Sequence, residues 1–83
     1  MSQLHFTRFP AEHSQFGVET HEAQDDFGNV YAVLKRGPGW VGRIYDDRWL
    51  LKHEVDWSDH RVQVNEMRNW LQRMADTGEY AAA

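Results

Sequence analysis

The chain has no cysteine, and that single absence removes disulfide scaffolds, cysteine-ligated zinc sites and thiol catalysis together. It is also short of cations, with 9 Lys and Arg against 13 Asp and Glu and a formal net charge of −4. That balance works against a protein that draws its affinity from neutralising phosphates. No apolar run approaches the roughly 18 residues of a membrane span, and no apolar stretch after the start reads as a secretory signal. The expectation is a soluble, cytoplasmic protein with no membrane contact. Only 2 Pro and 6 Gly punctuate the 83 residues, and there are no low-complexity tracts, linkers or internal repeats. A chain of this length holds one core. The expected domain is 1–78, with 79–83 as a frayed tail.

What is abundant is aromatic. Four Trp, three Tyr and four Phe sit among 41% hydrophobic residues. A short chain takes much of its burial from few large side chains, so most of these rings are expected in the core.

The chain opens with a loose alternation around Leu4 and Phe6 that Pro10 ends, and a second alternating segment runs from Ser14 through Phe16, Val18 and Thr20. Asp25-Asp26-Phe27-Gly28-Asn29 is turn chemistry. Val30 to Arg36 is the best strand by β-branched and aromatic content, Gly37-Pro38-Gly39 breaks it, and Trp40 to Tyr45 returns. Asp46-Asp47-Arg48 turns again into Trp49 to Val55. Loops of about three residues make this an antiparallel meander, because parallel pairing needs a crossover of about a dozen residues.

After Val55 the period changes. Met67, Trp70, Leu71 and Met74 form one apolar stripe of an α-helix, extended by Val64. Two starts compete: Asp56 or Ser58 capping a helix from near Asp59, which is the expected one, or Asn65 capping a later helix. Gly78 is the expected stop. The fold class is therefore α+β: an antiparallel meander of three to five strands with one C-terminal helix packed on one face.

The covered face is assigned to Val30, Ala32 and Leu34, Trp40 and Ile44, and Trp49, Leu51 and Val55, with Gly42 leaving room for a neighbouring ring. By the period of two, the opposite face presents Tyr31, Val33, Lys35, Val41, Arg43, Tyr45, Leu50, Lys52 and Glu54. Residues 1–13 are the only segment left to cover it. Uncovered, it is a flat binding platform.

Residues 11–34 carry five acids, Glu12, Glu19, Glu22, Asp25 and Asp26, and no Lys or Arg. As a solvated face they keep a small protein in solution; as a function they steer toward a basic protein surface. Arg36, Arg43, Arg48 and Lys52 in the meander imply a molecule acidic at one end and basic at the other. Trp57, between the last strand and the helix, is either a staple for that corner or an interface anchor.

Chemistry fares poorly. The five histidines lack metal-ligand spacing, so no metal site is assigned. Ser58-Asp59-His60 is explained by capping, because a triad converges through space and rarely along the chain. Gly37-Pro38-Gly39 is too short to cradle a phosphate. No cofactor motif and no catalytic residue is assigned, and the expectation is a protein that is not an enzyme.

The meander Val30–Arg36, Trp40–Tyr45 and Trp49–Val55, with the helix ending Met67-Arg68-Asn69-Trp70-Leu71, resembles the architecture of small phage-encoded inhibitors of the anti-CRISPR type. It covers about half the chain. The resemblance implies a stoichiometric inhibitor that occupies a host nuclease or its nucleic-acid channel. The same element order also resembles compact DNA-binding domains of integrases and plant-type transcription factors, whose sheets are strongly basic where this one is only partly so. The expected function is a protein-binding module that contacts a host protein or nucleoprotein complex through Glu19, Glu22, Asp25 and Asp26, through Tyr31, Arg43, Tyr45 and Lys52, and through Trp57. Charge reversal of those four acids is expected to weaken binding and leave the fold intact. The alternatives are a nucleic-acid-binding domain using the open sheet face and a homodimer paired through an edge strand or that face.

Overall fold

The computed structural model describes residues 3–78; the expected fraying of Glu79 to Ala83 lies outside the described residues. Five strands, β1 (Thr7–Phe9), β2 (Thr20–Gln24), β3 (Val30–Arg36), β4 (Gly39–Tyr45) and β5 (Leu51–Trp57), form one antiparallel sheet in chain order. One helix, α1 (Val64–Thr77), packs across β3 and β4. This is the expected α+β class.

The register decides what each face carries, and here the expected faces fail. Gly37 and Pro38 alone separate the paired residues Arg36 and Gly39, with Gly37 at φ 55°. A two-residue turn sets Tyr31 opposite Ile44 and Val33 opposite Gly42. Opposed residues share a face, so odd-numbered β3 residues join even-numbered β4 residues under the helix. A loop of about three residues implies the other parity, and one step of slip moves a whole strand to the wrong side. Tyr31 and Val33 are thus fully buried with Ile44, Met67 and Leu71, whereas Val30, Ala32 and Leu34 face away with Val41.

The reverse side is not an open platform either. Phe16 and Val18 pack on Ala32, Leu34 and Val41. The segment 14–18 is folded onto them by side-chain bonds: Ser14 Oγ and Thr20 Oγ1 are 2.7 Å apart, the Phe16 N–H donates to Ser14 Oγ at 3.1 Å, and Thr20 Oγ1 donates to the Val18 carbonyl at 2.8 Å. Residues 14–18 therefore form a loop, not the start of a strand. The leading segment goes to the helix side instead, where Leu4 is buried and its N–H donates to Gln72 Oε1 at 2.7 Å.

The helix stripe is as expected, with Met67, Leu71 and Met74 buried and Trp70 half-buried. Its start is not. Asp56 is spent on a turn, accepting the Ser58 N–H at 2.8 Å, and α1 begins only at Val64. There the Gln63 N–H donates to Glu66 Oε2 at 2.8 Å, one arm of a capping box, and Gly78 ends the helix at φ 68°. Gly42 makes room for a thioether, not a ring: a Cβ there would lie 2.5 Å from Met67 Sδ. Trp57 belongs to β5, half-buried, with its ring 6.1 Å from Trp70 in an edge contact.

Candidate functional site: the paired turns at one end of the sheet

Consecutive hairpins alternate ends, so the β2–β3 and β4–β5 turns share one end of the sheet. They are built alike. In Asp25–Asn29 the Asp25 N–H donates to the Asn29 carbonyl (3.1 Å) and the Gly28 N–H to the Asp25 carbonyl (3.3 Å). In Asp46–Leu50 the Asp46 N–H donates to the Leu50 carbonyl and the Trp49 N–H to the Asp46 carbonyl, both at 3.0 Å. Each leading aspartate accepts two backbone N–H groups on one oxygen: Phe27 and Asn29 on Asp25 Oδ1 at 2.8 and 3.0 Å, Arg48 and Leu50 on Asp46 Oδ1 at 2.8 and 2.9 Å. The fourth residue of each is left-handed, Gly28 at φ 86° and Trp49 at φ 64°. The turns touch, since a Cβ on Gly28 would lie 3.2 Å from Asp47 Cβ.

Glycine takes that conformation freely; for a bulky residue it costs about 1–2 kcal/mol. Trp49 bears the cost and is still 47% exposed. Beside it Leu50 is 59%, Leu51 51% and Phe27 73% exposed, and these four are the large exposed hydrophobic side chains among the described residues. Strain plus apolar exposure at one place is how a contact surface differs from a merely solvated one. The Trp49 ring lies 5.5 Å from Tyr45, which stacks in turn on Phe16 at 6.1 Å. Trp49 also borders a hollow of about 310 Å³ over the reverse side of the sheet, with His5, Thr7, Phe9, Glu22, Gln24 and Val30 in its walls.

The turn carboxylates stay charged. Burial pushes the Asp25 carboxyl up, but bonds from the Asn29 side chain, the Phe27 N–H, the Tyr31 hydroxyl and the Asn29 N–H together hold it below the ordinary range. The Leu50 N–H bond does the most to lower Asp46, with Arg48 and Lys52 adding to it against a smaller push from burial. Asp26 and Asp47 are exposed beside them.

The other expected contact residues are scattered. Tyr31 is buried under α1, its hydroxyl donating to Asp25 Oδ2 at 2.9 Å, so it offers a partner nothing. Arg43 donates to Glu54 at 2.6 Å and to the Tyr45 hydroxyl at 3.2 Å. Lys52 lies 4.0 Å from Asp46 and Arg36 3.6 Å from Asp56, so with Arg43 three of the four meander cations are paired with acids, while Arg48 is exposed beside Asp46 and Asp47, and they make no basic end. Glu22 sits on the reverse side near Gln15, and Glu19 elsewhere again, so the acids of 11–34 make no single patch. Glu19 accepts from Arg8 at 3.3 Å and contacts His21 Nε2 at 3.1 Å. His21 is buried, Arg68 Nη2 donates to its Nδ1, and its proton therefore sits on Nε2 toward Glu19. Burial lowers the His21 pKa, only partly offset by Glu19; the His21 bond in turn lowers Glu19 against the upward push of burial. Glu19 and Asp25 both hold bonds within the fold, so reversing their charge is expected to cost stability as well.

Sequence reasoning missed Trp49, Leu50, Leu51, Phe27, Asp46 and Asp47 as a site. The signal was the pair Asp25-Asp26-Phe27-Gly28-Asn29 and Asp46-Asp47-Arg48-Trp49-Leu50: the same opening, with Trp where Gly belongs. The β5 edge is guarded against pairing with a copy by the charges of Lys52, Glu54 and Asp56 and by a register shift at Ile44/Tyr45. No group of three or more His, Asp or Glu able to hold a metal occurs among the described residues, and no helix there is long and apolar enough to cross a membrane. No protein-family model, no curated protein and no solved structure matches the chain.

Proposed function

We propose that the chain is a non-enzymatic protein-binding module whose contact surface is the turn end: Trp49, Leu50, Leu51 and Phe27, rimmed by Asp26 and Asp47. One observation carries this reading, an exposed tryptophan held on left-handed backbone where the sister turn uses glycine. Folding alone favours a small residue there; a partner favours an aromatic anchor. Following the resemblance to phage-encoded inhibitors, binding is inhibitory and the partner is a nuclease complex of the CRISPR type.

Titration of such a purified nuclease tests the inhibitor reading. Cleavage falls to zero at a stoichiometric end point with the wild-type chain, and the loss is relieved by Trp49→Gly with Leu50→Ser. Full cleavage at excess wild-type chain removes the inhibitor reading. Nucleic-acid binding through Tyr31, Arg43, Tyr45 and Lys52 is disfavoured, because one of the four is buried and both cations are paired. A gel-shift titration at low salt with no retarded band agrees with that; a band that vanishes steeply as salt rises restores the alternative.

A further inference from the structure

We infer that the partner's docking element is basic, and that one of its arginine or lysine side chains enters the hollow between Trp49 and Glu22 while apolar neighbours cover Leu50, Leu51 and Phe27. This rests on the binding reading above and specifies what is bound. The hollow of about 310 Å³ is lined by Trp49 and Glu22, with His5, Thr7 and Gln24 as further polar residues and Phe9, Ala23 and Val30 as apolar ones, so Glu22 is its one acid. Glu22 is half-buried, and among the described residues it is held by Gln15 Nε2 alone, at 3.3 and 3.5 Å, so its charge is available to a stronger donor. A guanidinium there meets a carboxylate and the indole ring together, the two groups it pairs with best. The surroundings select the same sign. Asp25, Asp26, Asp46 and Asp47 occupy this end against Arg48 and Lys52, and Lys52 is already beside Asp46. A second copy docked here would set these acids against their own kind, so the surface rejects self-association and admits a cationic partner.

Two short peptides of Leu and Ala test this, one with Arg and the other with Glu at the polar positions. Each is titrated into the ¹⁵N-labelled chain and followed by amide chemical shifts. The Arg peptide is expected to shift residues 25–29, 46–51 and Glu22, to weaken as salt rises, and to lose about tenfold or more in affinity with Glu22→Gln or Trp49→Gly. Amide spectra of those variants otherwise matching the wild type show that the fold is retained. Equal binding of the Glu peptide at the same residues overturns the charge inference and keeps the binding surface. Binding of the Arg peptide elsewhere, or a dimer formed through this end in sedimentation experiments, overturns both.

Discussion

The two turns at one end of the sheet share a backbone and differ in what hangs from it. Asp25–Asn29 is optimised for folding: its left-handed position is glycine, Asn29 Nδ2 bonds back to Asp25 Oδ2 at 2.9 Å, and the Tyr31 hydroxyl ties the same carboxylate to the core. Asp46–Leu50 keeps the backbone bonds and gives up the rest, placing Trp49 on the strained residue and Leu50 where Asn29 closes the sister turn. Equal geometry with unequal chemistry separates what the fold requires from what it tolerates. The first turn staples the sheet; the second displays side chains.

Four experiments probe the difference between the turns. The largest effect is expected from Asp25→Ala, which removes four hydrogen bonds, one from a buried tyrosine. Urea unfolding should show a loss of about 2–3 kcal/mol, and Asp46→Ala a smaller one. Equal losses would erase the distinction between stapling and displaying. Next, Gly28→Val puts a β-branched residue at φ 86° with its Cβ against Asp47, and a loss of about 2 kcal/mol should follow.

Acid separates the buried histidine from the carboxylates. The folded His21 pKa lies below its ordinary 6.5, so its contribution is complete above that value. As pH falls below 6.5 the unfolded chain takes the proton first, and stability is lost down to the folded value. Asp25 and Asp46 are lowered from 3.8, so theirs holds until pH falls below about that value. Melting temperature against pH should therefore fall in two steps, and His21→Gln should remove the upper one while leaving the Asp25 and Asp46 share of the lower, to which Asp56 and the His21-bonded Glu19 also contribute. The smallest effect belongs to Trp49→Gly. Relief of left-handed strain offsets the lost Tyr45 contact, and stability should stay within about 1 kcal/mol of the wild type.

The same contrast explains what could be read in advance. Val30–Arg36 was legible to the residue because its composition and flanking breakers agree, and the Met67, Trp70, Leu71 and Met74 stripe was legible because only a helix brings those spacings together. Face assignment was not, since it hangs on one residue of turn length at Gly37-Pro38. The start of β5 was missed because Trp49 looks like a strand residue by type and is a turn residue by φ. Helix onset was missed because Asp56 and Ser58 are good caps that serve a turn instead. The proposed contact surface went unseen for a related reason: the period of two was run back through Trp49 and Leu50, which belong to a turn, and so put Trp49 and Leu51 on the covered face, while Phe27 sits in a turn with no period at all.

Whether Trp49 serves binding at the fold's expense is decided by a paired measurement on Trp49→Gly. Unfolding free energy and affinity for the Leu/Ala/Arg peptide are determined on the same protein. Stability within about 1 kcal/mol of wild type is expected together with at least about tenfold weaker binding. Unchanged affinity with a clear loss of stability would make Trp49 a packing residue and contradict it.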